Sequence, residues 1–192
     1  MTLNKKGNEV TEDLKVWQQF LADYNGKSFF LSNEIFANTS LKLFTDSCTS
    51  IGYGGYFCSE VFSEYQWFAG EWTDWWKSQN IMILELYPIV IAIELWAYVL
   101  ENKRLLIFTD NYALVSVINK KTSKNALAMI LVRRLVLACL KHNVFVLAQH
   151  ITGVYNRLAD ALSRQEIAVF LKDCPNAAKN PIALPPLPLR LI

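Results

Sequence analysis

The stretch Leu41-Lys-Leu-Phe-Thr-Asp-Ser-Cys-Thr-Ser-Ile-Gly-Tyr-Gly-Gly-Tyr56 decides the architecture. Its first half alternates apolar and polar side chains, the period of a strand with one buried face, and it ends on Asp46. A Gly-rich run follows at once, so the two halves read as an antiparallel hairpin. A third strand-like run comes next, giving strands at about 41–48, 51–60 and 61–69. The polar and aromatic connection Glu71-Trp-Thr-Asp-Trp-Trp-Lys77 leads into an apolar helix at about 84–100, where Pro88 is tolerable as a first-turn residue.

Downstream, strand and helix alternate. A strand at about 104–110 is followed by a helix at 111–119 and the loop Lys120-Lys-Thr-Ser-Lys124. An amphipathic helix at about 125–142, a strand at 143–150 and a last helix capped by Asn156 complete the series. This order predicts an α/β fold: one five-stranded mixed sheet, three antiparallel strands then two parallel, with helices on both faces. Residues 1–40 read as a linker or extension, 41–172 as the domain and 173–192 as a Pro-rich tail, extended or disordered. In the extension, Thr11-Glu-Asp-Leu14 opens a short helix with Trp17, Phe20 and Leu21 on one face, broken at Asn25-Gly26.

The 192 residues carry a net charge of +2 that hides an asymmetry. Residues 1–101 hold 13 Asp and Glu against 6 Lys and Arg, whereas residues 102–150 hold 1 against 8. An acidic half beside a basic half suits a polyanion approached through metal ions; differently charged solvated helices give the same count. The four cysteines form no C-x-x-C pair and read as buried free thiols in a reducing compartment. The polar N-terminus has no secretory apolar core, so an intracellular, non-secreted protein is expected. Ile81 to Leu100 has the length of a membrane span, but it contains Glu85 and Glu94, which would cost roughly 5–7 kcal/mol on insertion. A helix buried against the sheet explains it better, and no membrane is expected.

Four carboxylates fall where strands or helices would deliver them to one end of the sheet: Asp46, Glu85, Asp110 and Asp160. Each has an ordinary explanation alone. Asp46 could cap a turn, Glu85 could complement a helix dipole, Asp110 could start a turn, and Asp160 could pair with Arg164 four residues on. Jointly, clustered carboxylates without an Arg among them are a ligand set for hard divalent ions. Two Mg²⁺ ions held there would favour hydrolysis of a phosphodiester. Glu94 lies nine residues from Glu85, on the opposite helix face.

Four segments then resemble the successive motifs of retroelement ribonuclease H domains. They are Thr45-Asp-Ser-Cys-Thr-Ser-Ile-Gly-Tyr-Gly-Gly55, Leu84-Glu-Leu86, Phe108-Thr-Asp-Asn111 and His150-Ile-Thr-Gly-Val-Tyr-Asn-Arg-Leu-Ala-Asp-Ala-Leu-Ser-Arg164. The wording is most similar to reverse transcriptase–ribonuclease H polyproteins of DIRS-type, tyrosine-recombinase retrotransposons. The resemblance implies a ribonuclease H-like fold and hydrolysis of the RNA strand of RNA/DNA hybrids with two Mg²⁺ ions, Mn²⁺ being a possible substitute. It implies metal-binding roles for Asp46, Glu85, Asp110 and Asp160, and a proton-transfer or product-release role for His150, whose plain alternative is a solvated strand-end histidine.

The same resemblance implies that the backbone around Ser47, Cys48 and Thr49 faces RNA 2′-hydroxyls and that Asn111 contacts a sugar. Lys120 and Lys121 are phosphate contacts, or simply a solvated loop. Cellular relatives insert a basic, Trp-containing handle here that this chain lacks, so an attached reverse transcriptase polymerase would hold the hybrid. Trp72, Trp75 and Trp76 read as a stacking platform or, preferably, as a face for that polymerase. Two rivals stand: a silent nucleic-acid-binding or structural module from a retroelement, and a DNA nuclease or transposase core of the same fold.

Overall fold

The computed structural model describes residues 3–22, 41–58 and 62–188. Five strands form one sheet: β1 (Lys42–Ser47), β2 (Gly52–Cys58), β3 (Gln66–Glu71), β4 (Arg104–Thr109) and β5 (Phe145–His150), in the order β3-β2-β1-β4-β5. β1 pairs with β2, and β2 with β3, antiparallel; β1 with β4, and β4 with β5, run parallel. The expected mixed sheet is therefore present. The helices are α1 (Leu3–Ala22), α2 (Asp74–Lys77), α3 (Ile81–Leu100), α4 (Tyr112–Lys120), α5 (Ala126–Lys141), α6 (Arg157–Ser163) and α7 (Ile167–Asp173). A 3₁₀ turn, Gly153–Asn156, leads into α6.

Strand alternation divides the core in two. Leu43 and Phe57 join the larger cluster with α3, α4 and α5. Tyr56 and Trp67 join the smaller one under α6 and α7, with Phe44 packed against it. The close approach of α6 explains Gly54, where an added Cβ would lie 2.4 Å from the Leu162 Cβ. Since Gly54 pairs with Asp46, that contact brings α6 directly over the first carboxylate strand.

α3 is buried nearly all round, as a helix crossing the core should be. It is the one described helix long and apolar enough to span a membrane, and 78% of that window is buried in the protein. It starts three residues earlier than the sequence predicts, because Asn80 caps it by accepting from the Met82 amide at 2.9 Å. Pro88 is therefore an interior residue rather than a first-turn one, and Glu85 lies beyond the first turn.

Three further expectations need correction. Trp72 and Trp76 are neither platform nor docking face: they are 4% and 0% exposed and pack against Tyr53 and Tyr87. The N-terminal helix begins well before Thr11 and lies along α5, where Arg133 bonds Asp13 at 2.8 Å and the Glu9 carbonyl at 3.2 Å. Its Phe20 is buried, whereas Trp17 and Leu21 are exposed; Asn25 and Gly26 lie outside the described residues. Over residues 181–188 the tail has no helix or strand but is packed. Trp67 Nε1 donates to the Ala178 carbonyl at 2.6 Å and Trp76 Nε1 to the Pro188 carbonyl at 2.8 Å, with Ile182, Leu184 and Leu187 against the core. All four cysteines are free, but only Cys139 and Cys174 are buried; Cys48 and Cys58 are partly exposed.

Candidate active site

Asp46 is the fifth residue of β1, Asp110 directly follows the parallel neighbour β4, and Glu85 comes from α3. β1 and β4 thus present their carboxyl ends side by side, the usual place for a site in a sheet of this kind. Asp160 arrives from the other face on α6. That helix is fixed by Asn156, which is not the side-chain cap the sequence suggests. Its buried amide instead donates to the Thr45 carbonyl at 3.1 Å.

The acids sense one another. Burial pushes the Asp46 carboxyl up to about 6; the Ser163 hydrogen bond opposes this, and the Asp110 and Asp160 charges add to it. Glu85 rises to about 7, chiefly by burial, with an Asn111 hydrogen bond opposing and the Asp110 and Asp46 charges adding. Its Oε2 is buried without a hydrogen-bond partner. Each of three acids has a partner inside the protein. Ser163 Oγ sits 2.8 Å from Asp46 Oδ2 and 2.8 Å from the Asp160 carbonyl oxygen, with one proton to serve them. Asn111 serves Glu85, and Arg164 Nε donates to Asp160 Oδ1 at 2.7 Å, the i, i+4 pairing foreseen as the ordinary role of Asp160.

Among the described residues, no three His, Cys, Asp or Glu side chains are drawn together closely enough to hold an ion as they stand. The donor chemistry nevertheless fits a hard cation: coupled carboxylates, raised titration and an orphaned Glu85 oxygen are what a divalent ion would relieve. Asp46, Glu85 and Asp110 affect one another through their charges, and Asp160 acts on Asp46 in the same way while engaged by Arg164.

Other expected site residues are placed as follows. His150 ends β5 opposite Thr109, with Nε2 3.1 Å from the Asp110 carbonyl oxygen and its ring stacked on Tyr112 at 3.6 Å. Ser47 is buried, and the Cys48 amide and carbonyl close the β1–β2 turn with Gly52 and Ile51, leaving Thr49 exposed. Asn111 caps α4 through Oδ1, bonding the Ala113 and Leu114 amides, so it orders Glu85 and the helix start together. Lys120 and Lys121 end α4 away from the acids, with Lys121 Nζ 5.8 Å from the centre of the Phe145 ring where β5 begins. Glu94 is held by Arg134 at 2.7 and 3.0 Å, apart from the acid set. The roles of Ser163 and Asn156 around the acids were not read from sequence; the available signal was the spacing Asn156, Asp160, Ser163, which puts all three along one stretch of helix.

The raised Glu85 titration makes a stability prediction. Unfolded, it ionises near 4.5; folded, near 7, so within that window the native state holds a proton the unfolded state has lost. Stability therefore falls as pH rises through the window. With a chelator present, Glu85→Gln should match the parent at about pH 4 and exceed it at about pH 8. Urea unfolding at both values checks this; a variant equally less stable at both would mean that the charged carboxylate is not under strain.

No family model matches the chain, and no curated protein matches it. Solved structures do. The N-terminal ribonuclease H domain of a Mycobacterium tuberculosis protein, solved as a fusion with maltose-binding protein, aligns with a TM-score of 0.53 at 11% identity, over 65% of this chain and 95% of that one. Ribonuclease H1 of Halobacterium salinarum aligns at 0.49 and 14% identity, over 67% of this chain and 98% of that one. A ribonuclease H1 isolated from compost aligns at 0.47 and 16%, over 68% and 96%. With its strand order and the first of these alignments, the chain has the ribonuclease H-like fold.

Proposed function

We propose that this chain is a metal-dependent endoribonuclease that hydrolyses the RNA strand of RNA/DNA hybrids during reverse transcription of a DIRS-type retroelement. The observation that carries the reading is the charge coupling of Asp46 and Asp110, at the carboxyl ends of adjacent parallel strands, with Glu85 on α3. Asp46, Glu85 and Asp110 would hold two Mg²⁺ ions, with Asp160 joining as Arg164 releases it. Such ions, when bound, favour attack of water on the phosphodiester and departure of the 3′-oxygen. Asn111 would keep Glu85 aimed, Ser163 would keep Asp46 aimed, and His150, beside Asp110, would move a proton near the leaving oxygen. The exposed Thr49 turn would meet the RNA 2′-hydroxyls that separate RNA from DNA.

The substrate grip is the weaker part of the machinery. Lys120 and Lys121 offer phosphate contacts at a distance from the acids, so isolated binding should be weak and steeply salt-dependent. A linked polymerase would supply the rest by effective concentration. With Trp72 and Trp76 buried, the exposed Val10, Leu14, Trp17 and Leu21 stripe of α1 is a face that would receive it. The Arg164–Asp160 pair favours the rival reading of a silent binding module. The deciding experiment offers four substrates with Mg²⁺, namely RNA/DNA hybrid, duplex RNA, duplex DNA and single-stranded RNA. Selective loss of the RNA strand of the hybrid is expected; binding without cleavage would favour the silent module.

A further inference from the structure

Pro88 has no N–H, so the Leu84 carbonyl, one turn earlier in α3, lacks its helical donor. The donor it has comes from another element: Ser47 Oγ on β1 donates to it at 2.8 Å. Both residues are buried, Ser47 at 8% exposure and Leu84 at 0%, so water does not replace this bond. Ser47 follows Asp46 in sequence, and Leu84 precedes Glu85. One hydrogen bond therefore joins the immediate neighbours of two carboxylates that sit on different elements and repel each other.

We propose that Ser47 is a positioning residue whose hydroxyl, anchored on the carbonyl that Pro88 leaves open, sets the separation of Asp46 and Glu85 for a divalent cation. The inference rests on the function proposed above. Strand alternation turns Ser47 toward α3 while Asp46 faces α6, so Ser47 acts through the acids and not on their ligand. The bonds from Ser163 and Asn111 end on the carboxylates themselves and must loosen as a cation takes those oxygens. The Ser47 bond ends on backbone, and it can persist unchanged when the site fills.

The test measures Mn²⁺ binding by the loss of its free electron paramagnetic resonance signal, alongside kcat, KM and the urea midpoint. Ser47→Ala should weaken Mn²⁺ binding about tenfold, in line with removal of groups that orient metal ligands, and lower kcat far more than KM. Ser47→Thr keeps the hydroxyl and should recover most of the binding. Pro88→Ala returns an amide N–H to Leu84, so in that background Ser47→Ala should cost much less. Loss of stability with Mn²⁺ affinity and kcat unchanged would overturn the proposal and leave Ser47 as an ordinary core hydrogen bond. If Ser47→Ala does not fold, the Pro88→Ala background decides: a large loss of Mn²⁺ binding there on adding Ser47→Ala also overturns it. A parent whose Mn²⁺ uptake ignores Asp46→Asn would remove the functional reading and the clamp with it. A parent that binds through Asp46 while Ser47→Ala binds equally would remove the clamp alone.

Discussion

Asp110→Asn should abolish hybrid cleavage, lowering the rate about a thousandfold or more, while leaving the fold intact. The magnitude follows from several kcal/mol of lost transition-state stabilisation at about 1.4 kcal/mol per tenfold. The fold should survive because Asp110 is exposed, and its contact with His150 runs through the backbone carbonyl, which Asn retains. Removing its charge also relieves the repulsion felt by Asp46 and Glu85. Glu94→Gln is the control on the same helix as Glu85: it weakens a half-exposed pair with Arg134, costing about 1 kcal/mol or less, and should leave cleavage nearly unchanged. Single-turnover rates with matched unfolding curves check both. An Asp110→Asn variant cleaving near the parent rate would remove the carboxylate from the machinery.

Ending the chain after Asn180 should lower stability by about 3–6 kcal/mol. The segment beyond it covers the core with Ile182, Leu184 and Leu187 and supplies the Pro188 carbonyl to Trp76 Nε1. Three partly buried apolar side chains contribute about 1–1.5 kcal/mol each, and the lost indole hydrogen bond about 0.5–1.5 kcal/mol net, its N–H being left to water. Exposure of Trp76 should also red-shift its fluorescence. Chemical denaturation of the two lengths measures the difference; equal midpoints would show that the tail is bound too loosely to matter.

The tail illustrates what sequence conveys and what it omits. Its prolines announce the absence of helix and ladder, and residues 181–188 indeed carry neither. They do not announce what such a chain lies against, because that depends on Trp67 and Trp76, more than a hundred residues away. Trp72 and Trp76 mislead for a related reason: an aromatic cluster in a polar connection looks the same whether it faces a partner or folds back on Tyr53 and Tyr87. The sheet was legible because strand period and the glycine hairpin are local signals, and Gly54 is small where α6 lies upon it. The helix around Glu85 was legible in kind but not in start, since Asn80 caps it ahead of the predicted boundary.

Within the site, the acids could be picked out because chemistry-bearing residues recur at element ends. The groups that aim them could not. Ser163, Asn156 and Asn111 are common polar residues whose role appears only when α6 and α4 are docked on the sheet. Arg164 is the instructive case: the ordinary i, i+4 pairing with Asp160 and membership of an acid cluster are both realised by one side chain. The resemblance assigns the backbone around Ser47 to the substrate and says nothing of its hydroxyl, which faces the core and donates to the Leu84 carbonyl.

The most direct test of the central claim is analysis of the cleavage products of an RNA/DNA hybrid as Mg²⁺ is titrated. Cleavage should rise with Mg²⁺, stop with EDTA, consume only the RNA strand and leave 3′-hydroxyl and 5′-phosphate ends. Cleavage that persists in EDTA, or RNA ends carrying a 2′,3′-cyclic phosphate, would contradict that claim.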